Sequence, residues 1–107
     1  MKMNNVRIRI YNRRKGTVKP TFGEYAGMQI QFAELYVYYN DGGRRDTRFS
    51  AYVCLPSPYK VQFETFIGEV KDNIIRICSK CETHEQIVAA LKVSFEYNKF
   101  GYIVGVK

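Results

Sequence analysis

The chain of 107 residues contains no Trp, one His, three Cys and three Pro, and each shortage narrows what it can be. A single His leaves little room for nucleophilic catalysis, with Cys54 and His84 the available Cys–His combination. An odd number of cysteines does not make a disulfide framework, so a reducing, intracellular (cytoplasmic) setting is expected. No apolar run approaches the roughly 18 residues that span a bilayer. The opening Met1-Lys2-Met3-Asn4-Asn5 has no apolar signal-peptide core, and no membrane partner is expected. The acids are scattered rather than paired, and no Walker or dinucleotide loop occurs. Gly23-Glu24-Tyr25-Ala26-Gly27 lacks the strand–loop–helix context of a phosphate cradle. The expectation is a non-enzymatic protein that needs no cofactor.

What is present is positive charge, and it lies at one end. Lys2, Arg7, Arg9, Arg13, Arg14, Lys15 and Lys19 occupy the first twenty residues with no acid among them. Residues 1–50 hold ten bases and four acids, a net of +6, whereas residues 51–107 hold seven bases and six acids, a net of +1. A basic half joined to a nearly neutral one points to an anionic partner. The hydrophobic fraction of 46%, with nine Tyr and seven Phe, is enough for one modest globular core. A single domain over 1–107 is expected, with a basic β-rich half at 1–56 and a mainly helical half at 57–107.

Val6, Ile8 and Ile10 alternate with Arg7, Arg9 and Tyr11, the period of a strand with one apolar and one basic face. Residues 12–29, punctuated by Gly16, Pro20, Gly23 and Gly27, read as a long connection. Residues 30–40 and 44–55 read as a hairpin around Asn40-Asp41-Gly42-Gly43. A three-residue loop over 41–43 would pair Asn40 with Arg44, Leu35 with Phe49, Val37 with Thr47 and Ala33 with Ala51. The reverse face would carry Phe32, Glu34, Tyr36, Tyr38, Asp46, Arg48, Ser50 and Tyr52.

Ser57-Pro58 predicts a helix start. Phe63, Ile67, Val70, Ile74 and Cys78 follow at helical spacing. Gly68 allows a break, and the β-branched Ile74, Ile75 and Ile77 allow a short strand instead. Thr83-His84-Glu85-Gln86 is a capping box ahead of Ile87, Leu91 and Phe95, in a helix expected to end near Asn98. Tyr102 to Val106 predicts a last strand. The expected fold is α+β: an antiparallel sheet built around the central hairpin, two helices packed on one face, and a short C-terminal strand.

Two constellations carry chemistry in this pattern. Arg7, Arg9, Arg13, Arg14, Lys15, Arg44, Arg45 and Arg48 are candidates for phosphate contact, because guanidinium forks bind phosphate oxygens in pairs. Tyr11, Tyr36, Tyr38 and Tyr52 are candidates for stacking on unpaired bases. Together they predict a small binding protein that contacts nucleic acid or a nucleoprotein. Tyr and Arg are equally at home on solvated strands and in protein interfaces. The alternative is therefore a compact inhibitor or adaptor docking on a protein, of the sort that mobile elements such as phages use against host machinery. An exposed sheet edge would also allow pairing with a second copy. Cys54, Cys78, Cys81 and His84 together have the ligand types of a tetrahedral zinc shell. The preferred reading is that the cysteines are small core hydrophobes and that His84 belongs to the capping box.

Overall fold

The structure, a computed structural model, describes residues 4–23, 25–41 and 45–107; for residues 4, 12–14, 41, 45 and 46 it describes the backbone alone. Five strands and two helices follow in the order β1 (Asn4–Val18), β2 (Ile30–Asp41), β3 (Arg45–Leu55), α1 (Lys60–Lys80), α2 (His84–Ser94), β4 (Phe95–Tyr97) and β5 (Ile103–Val106). They form one sheet of order β1-β2-β3-β5-β4. All neighbouring strands are antiparallel except β3 and β5, which run parallel through the single pair Val53–Ile103. This is the expected α+β arrangement. At about 3.3 Å per residue the three long strands reach roughly 35–50 Å, matching the longest molecular dimension of 47 Å.

Both helices cover the same face of the sheet. Ala33, Leu35, Val37, Tyr39, Ala51 and Val53 meet Phe63, Phe66, Ile67, Val70, Ile74 and Cys78 of α1 and Ile87 of α2 in one buried cluster. Val6, Ile8 and Ile10 of β1 pack against its margin. Helix α1 is continuous through Gly68 and through the Ile74–Ile77 run, because its apolar stripe is buried along its whole length and packing outweighs the local preferences. Its start lies two residues later than Ser57-Pro58 suggests. Tyr59 is the N-cap and makes no side-chain cap bond. Ser57 Oγ instead accepts from the Tyr59 N–H at 3.1 Å and donates to Gln62 Oε1 at 2.7 Å, which holds Pro58 and Tyr59 outside the helix. At α2 the capping box forms with one change. Thr83 Oγ1 accepts from the Gln86 N–H, while Gln86 Oε1 reaches back to the Glu82 N–H rather than to that of Thr83.

Three further expectations are corrected. The first connection is shorter than 12–29, because β1 runs on to Val18. Tyr11 pairs with Glu34 and Lys15 with the very next β2 residue, Ala33. The backbone of 12–14 is therefore an insertion in β1, after which pairing resumes. The hairpin register also differs. Asp41 pairs with Arg45, Leu35 with Ala51, Val37 with Phe49 and Ala33 with Val53, and the expected loop over 41–43 falls largely on residues 42–44, outside the described residues. The two registers differ by an even step and put the same residues on each face. Size separates them: the observed one sets each small residue against a larger one, whereas the expected one sets Ala33 against Ala51 and Leu35 against Phe49. Helix α2 ends at Ser94 rather than near Asn98, since Phe95–Tyr97 pairs with β5. Phe95 is buried, as its spacing from Ile87 suggests, but from a strand.

Candidate functional site

The strands alternate, so every residue next to a core position points to the face that the helices leave open. On that face Arg7, Arg9 and Tyr11 of β1 lie opposite Tyr38, Tyr36 and Glu34 of β2. Tyr38, Tyr36 and Glu34 in turn lie opposite Arg48, Ser50 and Tyr52 of β3. Arg9 and Arg48 are exposed, and Tyr11, Tyr36 and Tyr38 are half-buried. Tyr36 faces Ser50 rather than Arg48, a consequence of the corrected register. Arg48 nonetheless reaches it along the diagonal, with its guanidinium carbon 4.3 Å from the Tyr36 ring centre.

The rings form a connected row. Tyr11 stacks on Tyr36 with centroids 4.8 Å apart and planes at 22°. Tyr38 meets Tyr36 edge-on at 6.4 Å. The Arg7 guanidinium lies 5.8 Å from the Tyr38 ring. Guanidinium–ring contacts restrict the orientation of the arginines. A second ring pair lies beside it on the same face: Tyr52 of β3, opposite Glu34, has its ring 5.4 Å from that of Tyr102. Tyr102 was not among the sequence candidates. Its signal was its place next to Ile103, a buried residue of a short strand.

Glu34 is an acid of this face and is only 6% exposed, between its cross-strand partners Tyr11 and Tyr52. Burial raises the Tyr36 phenol above its ordinary value, the Glu34 charge adds to the rise, and Arg48 opposes it. The face therefore offers phenol rings and cationic forks beside the enclosed Glu34. It can pair phosphates through its arginines and stack planar groups on its rings.

The basic candidates divide. Arg7, Arg9 and Arg48 converge. Lys15 does not join them, because the insertion at 12–14 places it opposite Ala33. It therefore lies on the helix side, where it lines a depression with Lys60 and Glu64 of α1. Arg44 lies outside the described residues, as do the side chains of Arg13, Arg14 and Arg45.

Nor are the four zinc-ligand candidates brought together. Cys54 pairs with Phe32 on the open face, while Cys78 and Cys81 belong to the core cluster on the other. His84 Nδ1 is hydrogen-bonded to the hydroxyl of buried Tyr39 at 2.8 Å. All three cysteines are free and buried. Burial and the neighbouring Cys81 push the Cys78 thiol up to about 11, which keeps it protonated and unreactive at neutral pH. Among the described residues no group of three or more His, Cys, Asp and Glu is placed to hold a metal ion, and no helix is long and apolar enough to cross a membrane.

One end of the open face is roofed by two loops. Residues 20–28 close on themselves through Gly27 N–H to Pro20 O, Ala26 N–H to Gly23 O and Met28 N–H to Tyr25 O. Gly23 and Gly27 adopt φ of 90° and 79°, which glycine alone takes without strain. Residues 98–102 form a turn around Asn98, whose Oδ1 accepts from the N–H groups of Phe100 and Tyr102. A groove between the loops is lined by Pro20, Phe22, Tyr25, Asn98 and Phe100, with Cys54 and Tyr102 at its floor. Sequence pattern had not marked it, since its walls come from two loops far apart in the chain. No protein-family model matches the chain, and no curated protein and no solved structure matches it either.

Proposed function

We propose that the protein is a non-enzymatic binding protein that contacts nucleic acid, free or within a nucleoprotein, through the open face of its sheet. The observation that carries this reading is the interleaving of Arg7, Arg9 and Arg48 with the rings of Tyr11, Tyr36, Tyr38, Tyr52 and Tyr102 on one uncovered surface. Arginines supply the phosphate contacts that dominate affinity, and the rings supply stacking that tolerates any base. Unpaired strands fit such a surface better than a duplex, whose bases are not available to stack. The Cys–His combination is poor material for catalysis: His84 is engaged with Tyr39 and the thiols are buried. Three free thiols suit a reducing, intracellular setting.

The test is a salt titration. A labelled single-stranded oligonucleotide, followed by fluorescence anisotropy, binds at about 50 mM salt and weakens steeply as salt rises, by roughly 0.7 logarithmic units of slope per neutralised phosphate. Replacing Arg7, Arg9 and Arg48 together with Ala flattens that slope by about two if each holds one phosphate. Failure to bind either single or double strands at about 50 mM salt refutes the reading. Protein partners captured with little salt dependence would assign the face to the docking alternative instead.

A further inference from the structure

The groove at the roofed end of the open face has a chemistry of its own. It comprises two adjoining compartments of about 500 and 460 Å³ that share Pro20, Tyr25, Asn98 and Phe100, each within the range of sites that hold small planar ligands, roughly 300–1,000 Å³. Phe22 and Phe100 both line the larger one and are 84% and 71% exposed. Single exposed apolar residues are ordinary, but two phenylalanines presented in one groove are a binding feature. Their exposure is built in. The Asn98 side chain and the Gly101 N–H to Asn98 O bond hold the turn that carries Phe100, and the backbone bonds of 20–28 hold the loop that carries Phe22.

Charge indicates what the groove takes. Lys19 and Lys99 line it. The Lys99 ammonium sits 5.2 Å from the Phe100 ring centre, so a cation flanks an exposed aromatic surface. The floor residue Tyr102 is the partner of Tyr52, which lies on the same open face as the arginine–tyrosine row, across Glu34 from Tyr11. We infer that this groove is a nucleobase site: an unpaired base of the strand lying on the open face stacks against Phe22 and Phe100, while Lys19 and Lys99 meet the phosphates beside it. The inference rests on the proposed function and adds where along the face a base is captured. It also sets the specificity. The Asn98 carboxamide is occupied by the Phe100 and Tyr102 N–H groups and by Cys54 Sγ at 3.7 Å. The wall therefore meets the face of a base rather than reading its edge, and capture tolerates any base.

The test compares two probes of equal charge, a labelled eight-residue oligodeoxythymidylate and the same strand with abasic positions throughout. The Phe22→Ala/Phe100→Ala variant loses about 5- to 150-fold in affinity for the thymidylate strand, the range expected for one base stacked on aromatic rings. It loses nothing for the abasic strand, and its salt slope and melting temperature stay those of the unmodified protein. The Arg9→Ala/Arg48→Ala variant does the reverse, losing salt slope and keeping the thymidylate preference. If the phenylalanine variant binds both strands as the unmodified protein does, the groove is not a base site while the arginine–tyrosine reading stands. If the unmodified protein binds neither strand at about 50 mM salt, the proposed function itself has failed. If sedimentation shows a dimer that the phenylalanine variant abolishes, the groove is a contact between copies and the inference is overturned.

Discussion

On the helix-covered face of β2, Ala33, Leu35, Val37 and Tyr39 are at most 1% exposed. On the other face Tyr36 and Tyr38 stay half-buried, in contact with arginines. Tyr38 and Tyr39 make the contrast within one residue type. Tyr39 is enclosed, and its hydroxyl meets His84 Nδ1, as a buried phenol requires. Tyr38 lies under Arg7 at the surface. Because a strand alternates, the residues that hold this protein together and the residues available to a partner are interleaved in sequence and separated in space. Stability and binding are therefore open to independent mutation.

The largest effect expected from that separation is in the core. Leu35→Ala removes a fully buried side chain and destabilises the fold by about 2–5 kcal/mol, read by chemical denaturation. Tyr36→Ala, one residue on, shifts the same transition far less while impairing partner binding. Comparable destabilisation by both would break the distinction between the faces.

The thiols sharpen it. Cys78 lies on the helix side, where burial and Cys81 push its thiol up to about 11 from an ordinary value of 9.0. The folded chain then keeps a proton that the unfolded chain has lost between those values. Stability accordingly falls as pH rises from about 9 to about 11 and is indifferent to this group below about 9. The full loss is at most about 3 kcal/mol, at about 1.4 kcal/mol per unit. Cys78→Ala removes this part of the alkaline loss, so the stability of the wild type relative to the variant falls between pH 8 and pH 11. A constant difference between them would contradict the burial account.

A smaller change lies away from both faces of the sheet. A methyl group at Gly68 meets nothing within 4 Å in an uninterrupted helix. Gly68→Ala therefore raises stability by about 1 kcal/mol and leaves partner binding unchanged. A loss of stability would show that the helix needs glycine there.

The division into faces was legible because Leu35 and Val37 alternate with Tyr36 and Tyr38, and the α1 stripe from Phe63 to Cys78 was legible because its spacing is helical. The hairpin register was not, since a two-residue change in pairing leaves both faces intact and only the sizes of Ala33, Ala51 and Phe49 decide it. The insertion at 12–14 was hidden because the Asn12-Arg13-Arg14-Lys15 stretch carries no apolar alternation. With it was hidden the removal of Lys15 from the basic face. Strand β4 was masked by the helical spacing of Phe95. The aromatic groove depends on Phe22 and Phe100 meeting across loops nearly eighty residues apart, a relation that local pattern does not contain.

The most direct test of the central claim, that the open sheet face is the binding face, is a map of contacts by NMR. Isotope-labelled protein is titrated with a short single-stranded oligonucleotide at low salt. The account predicts shifts at the side chains of Arg7, Arg9 and Arg48 and at the rings of Tyr11, Tyr36, Tyr38 and Tyr52, with the solvent faces of α1 and α2 unmoved. Shifts confined to the helices, or none at about 50 mM salt where phosphate contacts are strong, would contradict it.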